Sequence, residues 1–516
     1  MTNLSELLPA GGGQNNVDFT ADSTGVNSGK PCIINSDGTI SEVAMSALTN
    51  YGLDQSANAL IAAGNVSGNM GQMVYVRKED RYYFFWGYSA QIKYVSFTVN
   101  DAGTFAISGI GTGPSNLYSN KYCSFCYDHH TGRGAYTYNY AYAGYSSSQL
   151  YYGTLDFNNG SVTFGSAQSG NYYSIGGYCC SDNKGNILFA YEQYPFNLPY
   201  VFSAVLPSSG GLANISGENN LESNGGYWHT HYHIEYIPPE DKFQVVHSNS
   251  SNVGRTTFVT LTGAGSTPSV GSAGNIWNSS EPTGHLPYLS YDPVSTYMLF
   301  IYNNSSNYPA AVCGYTNYSF WNPIGQTVIE STTTSSNQWT KDVKAHESGN
   351  VAFTYERSTN TLPSRVKIAT FTYGSTSFNW QAGPWNLYSD ATATTVRLGA
   401  GIGNGRMAYA ACMDNYQTST AFPSNNMGKA GLIKMPASNK DGTNLLGLAA
   451  GAIGAGQSGT VNIWGSRNEV QTGLTAGSDY YVQGDGTIST DSTSSSAELI
   501  GQAISTTQIN IRDYNK

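Results

Sequence analysis

The stretch Ile187-Leu-Phe-Ala-Tyr191 indicates the fold, because segments like it recur along the whole chain. Each has a bulky, mostly aromatic centre, and the position two residues later is large in all but the last. The segments are Tyr82–Trp86, Gly134–Tyr138, Ile187–Tyr191, Phe243–His247, Met298–Tyr302, Val351–Tyr355 and Met407–Ala411. Their centres, Phe84, Tyr136, Phe189, Val245, Phe300, Phe353 and Tyr409, follow one another at steps of 52, 53, 56, 55, 53 and 56 residues. Because side chains alternate along a strand, both large positions share one strand face.

Each repeat also contains a strand-like run and a polar turn before the aromatic segment, and two further short strands after it. A period near 50 with four strands per unit fits a propeller blade, for which about 40–50 residues is usual. Propellers close with about four to eight blades. The sequence therefore predicts an all-β chain: a seven-bladed β-propeller flanked by small N- and C-terminal β-modules. An open solenoid or a string of sandwiches is the alternative, but neither explains so regular a step.

The flanks of the repeat region resemble each other. Residues 29–41 and 477–489 share the pattern G-x-x-x-[IY]-[IV]-x-x-D-G-T-I-S, which reads as a strand, an Asp-Gly hairpin turn and a second strand. We expect an N-terminal β-module over 1–45, a linker over 46–70 with a short helix near Gln55–Ala63, the propeller over 71–437 and a C-terminal β-module over 438–516. Ring closure brings the ends of a propeller together, so the two modules are expected to dock or share a sheet.

Composition excludes several classes of function. The chain has a net charge of −10 with only 23 Lys plus Arg, whereas a nucleic-acid binder needs cations to displace phosphate counterions. No apolar run is long enough for a transmembrane helix, and the N-terminus does not resemble a secretory signal peptide. We expect neither a nucleic-acid partner nor membrane insertion. The odd count of seven Cys favours buried, reduced thiols over a disulfide framework.

Two groups of residues raise the question of a metal. His229, His231 and His233 would share one strand face, and alternating imidazoles suit a transition metal. The favoured interpretation is polar histidines that stack with Tyr232 and Trp228, because the sequence fixes no further ligand. Cys123 and Cys126 resemble half a zinc site, but a spacing of three on a strand points them to opposite faces. We expect no cofactor.

Catalytic motifs are absent from the sequence. It has no G-x-S-x-G, P-loop or HExxH pattern, and it fails the repeated turn motif of sialidases. A glycosidase needs two carboxylates across the sugar bond, whereas Glu192, Glu235, Asp342 and Glu356 are scattered and read as solvated loop residues. We therefore expect that the protein is not an enzyme, with a glycosidase as the less favoured alternative.

The run Tyr136-Thr-Tyr-Asn-Tyr-Ala-Tyr-Ala-Gly-Tyr145 places aromatic rings on both faces of a strand and its loop. One face would be core and the other would meet water or a ligand. Tyr together with Asn, Ser and Gly is a composition typical of adaptable binding surfaces, although Tyr is also common in strands for structural reasons alone. The candidate ligand-binding residues are Tyr138, Tyr140, Tyr142, Tyr145 and Trp228.

Both chain ends resemble tail-fibre-like virion structural proteins of marine tailed bacteriophages. The resemblance lies in Leu4–Phe19 with Asn35-Ser-Asp-Gly-Thr39, and in Gly473–Ser489 with Ile500–Ser505, roughly a quarter of the chain. It implies a virion location, other virion proteins as partners, and a tail-fibre or receptor-binding component that presents its propeller to a host surface glycan. A capsid or tail decoration protein and a glycan-degrading tail enzyme are the alternatives. Phage fibres are usually trimers, so a homotrimer is a further expectation that no residue fixes.

Overall fold

The computed structural model describes most of the chain. The residues described are 15–35, 37–45, 52–62, 71–88, 90–99, 104–117, 123–140, 149–193, 198–222, 232–248, 254–276, 288–304, 306, 308–317, 320–331, 342–346, 349–355, 364–371, 377–387, 395–400, 406–412, 428–434, 438–440, 444–490, 492 and 497–512. Within these residues the only helical elements are two single 3₁₀ turns, Arg77–Glu79 and Pro238–Glu240, and no helix is long and apolar enough to span a membrane. The all-β prediction is confirmed.

The strands fall into three groups along the chain. The first group is β1 (Asn16–Thr20), β2 (Pro31–Ile34), β3 (Ile40–Glu42) and β4 (Gly52–Ala62). The repeat region contains β5 (Gln72–Val76), β6 (Arg81–Tyr88), β7 (Gln91–Val99), β8 (Phe105–Ile107), β9 (Gly111–Ser115), β10 (Cys123–Asp128), β11 (Arg133–Tyr140), β12 (Gln149–Asn158), β13 (Ser161–Phe164), β14 (Gln168–Ser181), β15 (Asn186–Gln193), β16 (Leu198–Val205), β17 (Asn219–Asn220), β18 (His233–Ile237), β19 (Lys242–Ser248), β20 (Gly254–Thr260), β21 (Ser269–Val270), β22 (Gly274–Asn275), β23 (Tyr288–Asp292), β24 (Tyr297–Asn303), β25 (Pro309–Asn317), β26 (Phe320–Val328), β27 (Asp342–Ala345), β28 (Asn350–Tyr355), β29 (Arg365–Thr370), β30 (Asn379–Asn386), β31 (Thr395–Ala400), β32 (Arg406–Cys412) and β33 (Gly428–Lys434). The last group is β34 (Leu445–Ala449), β35 (Ser458–Asn462), β36 (Arg467–Asn468), β37 (Asp479–Val482), β38 (Ile488–Ser489), β39 (Glu498–Ala503) and β40 (Ile509–Ile511).

The chain forms two compact units. The repeat unit spans 52–401 and 407–434, and the flanking unit comprises 1–51, 402–406 and 435–516. Apart from 402–406, the chain therefore leaves the flanking unit after residue 51, forms the repeat unit, and returns to the flanking unit at residue 435.

The repeat unit consists of antiparallel sheets that follow the order of the chain. Their strand orders are β5-β6-β7-β8, β10-β11-β12-β14-β15-β16-β17, β18-β19-β20-β21, β23-β24-β25-β26, β27-β28-β29-β30 and β31-β32-β33-β4, with β9, β13 and β22 paired to β7, β12 and β20. The second of these sheets contains two successive repeats, joined where β14 begins alongside β12. Every aromatic repeat segment lies in the second strand of its repeat, as the sequence predicts.

The first strands of the repeats form a closed series. Each contacts the next in the order β5, β10, β14, β18, β23, β27 and β31, and β31 contacts β5 again. Sheets that meet along their first strands and return to the start have the layout of a β-propeller. This ring places the second strands, with their aromatic residues, just outside the innermost strands.

The aromatic columns form the core between neighbouring sheets. All seven repeat centres are fully buried. Tyr136 and Tyr138 pack against Tyr83 and Phe85 of the preceding repeat. Phe84 of the first repeat packs in one cluster with residues of the last repeat, such as Ala408. Large side chains at these positions fill the space between two twisted sheets, which explains why the pattern recurs once per repeat.

The prediction of a short helix near Gln55–Ala63 is wrong. Residues Gly52–Ala62 form β4, which pairs antiparallel with β33 and completes the last sheet of the repeat unit. The Ala, Leu and Gln content of this segment suits a helix by local propensity. The unpaired edge of β33 offers a row of backbone hydrogen bonds instead, and tertiary pairing overrides propensity.

The flanking unit contains two five-stranded antiparallel sheets. One has the order β1-β35-β34-β2-β3 and the other β36-β40-β39-β37-β38. In the first of them, two strands from after the repeat unit lie between strands from before it: Val17 of β1 pairs with Val461 of β35, and Cys32 of β2 pairs with Gly447 of β34. The hypothesis that the two flanks share a sheet is therefore confirmed.

Candidate functional site

A cleft of about 400 Å³ lies between the repeat that contains β12 and the repeat that contains β15. We call it the tyrosine cleft. Its lining residues are Leu150, Tyr152, Gly170, Tyr191, Gln193, Tyr200, Phe202, Ile215, Ser216, Gly217 and Glu218. Strand alternation explains much of this set, because Tyr191 with Gln193, and Tyr200 with Phe202, are two residues apart on adjacent strands.

Aromatic rings form the floor of the tyrosine cleft. The ring of Tyr191 stacks on that of Tyr200 with centroids 6.0 Å apart and planes 23° apart. Phe202 packs against Tyr152 at 5.0 Å and edge-on against Tyr191 at 6.1 Å. Tyr152, Tyr191 and Phe202 are buried, whereas Tyr200 is half-buried and Ile215 at the rim is exposed. A rigid aromatic surface with an open edge suits the apolar face of a sugar ring.

One carboxyl group, that of Glu218, lines the tyrosine cleft together with these aromatic rings. Glu218 is half-buried just before β17, and burial raises its pKa while a hydrogen bond from the Tyr191 side chain lowers it in part. Burial also raises the pKa of Tyr152, and the charge of Glu218 adds to that rise. Glu218 therefore lies near two phenol groups in a partly desolvated site. Such a carboxyl group accepts hydrogen bonds from sugar hydroxyls and is suited to acid–base chemistry.

A second cavity of about 590 Å³ lies beside the turns that join first and second strands, and its lining includes His130, Lys184, Asp241 and Leu261. Its main charges already pair with each other: Lys184 Nζ lies 2.8 Å from Asp241 Oδ1. The Tyr236 hydroxyl donates a hydrogen bond to the same carboxylate at 2.5 Å. These bonds link neighbouring turns, so we interpret this cavity as a structural feature and the tyrosine cleft as the site.

The predicted ligand-binding tyrosines do not form this cleft. Tyr138 is only 4% exposed and stacks on Tyr136 and Tyr151, so its proposed role as an exposed ligand contact is corrected to a core residue. Tyr140 is half-buried, and its hydroxyl accepts a hydrogen bond from the Asn116 amide at 3.0 Å. The remaining candidates, Tyr142, Tyr145 and Trp228, lie outside the described residues.

The structure places one of the three candidate metal ligands. His233 begins β18, its Nδ1 accepts the backbone N–H of Leu289 at 3.3 Å, and its ring lies between Tyr178 and Tyr288. His229 and His231 lie outside the described residues. Among the residues whose positions are described, no group of three or more His, Cys, Asp or Glu side chains could hold a metal ion.

The two cysteines of the CxxC segment face opposite sides of β10, as predicted from their spacing. Cys123 packs with Tyr136 in one core cluster, whereas Cys126 packs against Cys179 in the next. Burial raises the pKa of Cys123 to about 12. A thiol with so high a pKa is a poor nucleophile and a poor metal ligand.

The interpretation of the scattered acids as solvated loop residues is wrong where the structure describes them. Glu192, Glu235 and Asp342 all lie on strands. Glu192 is 2% exposed, and burial raises its pKa to about 8. Glu235 pairs with Lys344 at 3.8 Å. Glu356 lies outside the described residues.

Sequence reasoning missed Tyr200 and Glu218, two half-buried residues that line the tyrosine cleft. Tyr191 carried a signal, because it occupies the second aromatic column. Glu218 carried none, because it follows a turn of low sequence complexity and reaches the cleft only through the fold of its repeat.

No protein-family model matches the chain, and no curated protein matches it. Several solved structures do match the chain. The periplasmic gluconolactonase of Pseudomonas aeruginosa is 8% identical, with 73% of this chain and 96% of that chain covered and a TM-score of 0.43. The α-L-arabinanase of Penicillium chrysogenum is 8% identical, with coverage of 76% and 99% and a TM-score of 0.40. AofleA of Arthrobotrys oligospora is 10% identical, with coverage of 68% and 92% and a TM-score of 0.38.

Several of the similar structures carry the names of enzymes, among them lactonases and an arabinanase. The expectation that this protein is not an enzyme is contradicted by that finding, and we withdraw it. It rested on the absence of short catalytic motifs. An active site assembled from separate sheets of a propeller needs no such motif, because its residues meet only after folding.

Proposed function

We propose that this protein is a structural protein of a bacteriophage virion, a tail-fibre or receptor-binding component that presents a seven-bladed β-propeller to a glycan on the host surface. The tyrosine cleft is the observation that carries the proposal. It combines stacked tyrosines, an amide at Gln193 and a carboxyl at Glu218, and together these offer an apolar face and hydrogen-bonding groups to a sugar.

Seven blades account for the strand order. Each of the seven aromatic segments is the second strand of its own repeat, and the seven first strands contact one another in a closed series. In this interpretation the eight-stranded sheet is two blades, and β4 supplies the outermost strand of the last blade. A strand from the N-terminal side then closes the ring against strands from the C-terminal side.

The virion assignment rests on the two chain ends. Both resemble phage virion proteins in sequence, and both contribute strands to one sheet of the flanking unit. A unit of this kind would attach the chain to other virion proteins while the repeat unit remains available to a ligand. Low charge and buried thiols suit a protein assembled in a host cytoplasm and exposed afterwards. A homotrimer remains the expected assembly.

The glycan proposal is tested with purified protein and an array of host envelope polysaccharides. We expect binding that weakens at least tenfold in Tyr200→Ala, whose parent side chain is half-buried and open to the cleft. Tyr140→Ala is the matched control, because Tyr140 is equally half-buried but lies outside the cleft. Absence of binding to all host material, with the protein present in purified virions, would favour a decoration protein.

A second candidate function is glycan degradation by a tail enzyme. The specific observation that favours it is the raised pKa of Glu218 beside Tyr191 in a cleft, because carboxyl groups with raised pKa values serve as general acids in glycoside hydrolysis. The test is release of reducing sugar from host polysaccharide. Glu218→Gln should abolish release and keep binding if Glu218 is the acid.

A further inference from the structure

The two sheets of the flanking unit have the same strand order. Along the chain, the first sheet uses β1, β2, β3, β34 and β35, and the second uses β36, β37, β38, β39 and β40. In space these become β1-β35-β34-β2-β3 and β36-β40-β39-β37-β38. The first strand along the chain is at one edge, the fifth is beside it, and the third is at the other edge in both cases. All pairings are antiparallel in both sheets.

The sequences of the two sheets correspond as well. Thr24–Ser41 and Thr472–Ser489 align without a gap and share T-G-x-x-x-G-x-x-x-x-x-x-x-D-G-T-I-S. All three glycines of this pattern have positive φ in both segments, with values of 76°, 75° and 84° in the first and 71°, 84° and 78° in the second. Positive φ is a backbone conformation that favours glycine, so the shared glycines reflect a shared path of the chain.

Individual hydrogen bonds repeat at the corresponding positions. In the first sheet, the N–H of Gly29 donates to Ala449 at 3.0 Å, and the N–H of Ala449 donates to Lys30 at 2.9 Å. In the second sheet, Gly477 donates to Ala503 at 2.7 Å, and Ala503 donates to Ser478 at 2.9 Å. The same pair of bonds therefore joins the same two strands in each sheet.

A close approach of two backbones also occurs twice. A Cβ atom added to Gly447 would lie 2.1 Å from the carbonyl oxygen of Asn462, and one added to Gly501 would lie 2.1 Å from that of Asn510. The segments are Leu446-Gly-Leu-Ala449 with Val461-Asn-Ile463, and Ile500-Gly-Gln-Ala503 with Ile509-Asn-Ile511. Only glycine fits where another backbone passes so closely.

We infer that the flanking unit is two tandem copies of one five-stranded module, and that residues 46–437 are an insertion between the third and fourth strands of the first copy. The second copy joins the equivalent strands, β38 and β39, directly through residues 490–497. The flanking unit is therefore a scaffold with two equivalent insertion positions, one of which carries the repeat unit. This inference does not depend on the proposed function.

The two copies differ in how far equivalent side chains are buried, as expected for two repeats packed one on the other. Ile33, Leu445 and Leu448 of the first copy are covered by the core of the second, in one cluster with Val482 and Ile500. The residues of the second copy that match the three covered positions are Tyr481, Leu499 and Gln502, and all are half-buried. Arg512 lies beside Gln502 and 3.5 Å from Asp479. A polar outer face is what ends a stack of repeats.

The inference is tested on the full-length chain with a specific protease site placed in 46–51 and another in 435–437. After both cuts, we expect native size-exclusion chromatography to resolve a folded repeat unit and a second species. That species contains both flank peptides, held together by the pairing of β1 with β35 and β2 with β34. Flank peptides that separate from each other would overturn the inference. A single cut should leave the elution of the chain unchanged.

A second measurement addresses the empty insertion position. A Gly/Ser insertion of about twelve residues after Ser494 should leave the unfolding temperature of the flanking unit almost unchanged, because a longer loop costs little free energy. The same insertion after Asp485 interrupts a hairpin turn in which the Thr487 N–H donates to the Asp485 side chain at 2.8 Å. This insertion should clearly lower the unfolding temperature of the flanking unit. Equal effects of the two insertions would contradict the equivalence of 490–497 with the insertion point.

Discussion

The side chain of Asp342 accepts the backbone N–H of Leu398 at 2.9 Å, and this bond joins the first strands of two neighbouring sheets. Bonds of the same kind occur elsewhere in the ring of first strands. They link Gln72 to the N–H of Phe125 at 2.8 Å, Ser124 to that of Cys179 at 3.1 Å, and Ser290 to that of Ala345 at 3.0 Å. Strands that face each other across a gap too wide for backbone pairing are thus bridged by one side chain each.

We predict that Asp342→Ala lowers the free energy of unfolding of the repeat unit by about 1–3 kcal/mol, because it leaves a buried N–H without its acceptor. Asp342 is 8% exposed, so water does not readily replace the lost bond. Urea unfolding followed by tyrosine fluorescence measures the change. Ser208→Ala on the surface is the control and should change nothing. An Asp342→Ala protein as stable as the parent would show that the bridging bonds do not hold the ring.

The stability of the repeat unit should fall as pH rises, because of Glu192. Burial raises the pKa of this carboxyl to about 8, against about 4.3 in an unfolded chain. The folded protein keeps a proton that the unfolded chain releases between these values. The stabilisation is therefore complete below about pH 4.3 and is lost as pH approaches 8, at up to about 1.4 kcal/mol per pH unit.

Glu192→Gln removes the titrating group and should flatten this part of the pH profile. Unfolding in urea at about pH 5 and about pH 8 compares the two proteins. Parallel profiles for the parent and the variant would contradict the raised pKa.

The tyrosine cleft makes a prediction about where sugars bind. Tyr200→Ala should weaken glycan binding at least tenfold without changing the unfolding temperature by more than a few degrees, because its ring is half-buried and rests on Tyr191. The stacking of a sugar ring on this aromatic face is lost when the Tyr200 ring is removed. Surface plasmon resonance on immobilised host polysaccharide measures it. Equal losses in Tyr200→Ala and Tyr140→Ala would place binding elsewhere.

The sequence predicted the repeat because packing imposes it locally. Phe189 and Tyr191 must be large and two residues apart wherever a second strand fills the gap between two sheets, so their spacing is visible without a structure. The identity of β4 was not visible, because Gly52–Ala62 becomes a strand only when the edge of β33 is present. Glu218 was missed for the same reason: its neighbours Tyr152 and Tyr191 come from other strands, and no local pattern links the three.

Buried amides at equivalent repeat positions should respond differently to substitution. Asn139 and Asn303 each lie three residues after a repeat centre, and both are almost fully buried. The Asn139 amide donates to Ser174 at 2.8 Å and 3.0 Å, whereas neither polar atom of the Asn303 side chain has a hydrogen-bond partner among the residues that the structure describes.

Asn303→Leu should therefore raise the free energy of unfolding by about 1 kcal/mol, since an unsatisfied buried polar group is costly, and Asn139→Leu should lower it by about 1–3 kcal/mol. Thermal unfolding of the two variants measures whether each substitution raises or lowers the stability. Destabilisation in both would show that an ordered water completes the bonding of Asn303.

The paired glycines of the flanking unit give the sharpest comparison between its two copies. A Cβ at Gly447 or Gly501 would meet a backbone carbonyl oxygen at 2.1 Å, and neither backbone can move without breaking its sheet. Gly447→Ala and Gly501→Ala should each destabilise the flanking unit, by similar amounts of about 1–3 kcal/mol, as overpacking usually does. Gly451→Ala is the matched control, because nothing lies within 4 Å of its added Cβ. Hydrogen exchange read by mass spectrometry separates the two units, and amides of the repeat unit should keep their protection in all three variants. A large effect at one glycine with none at the other would show that the two copies are not equivalent in structure.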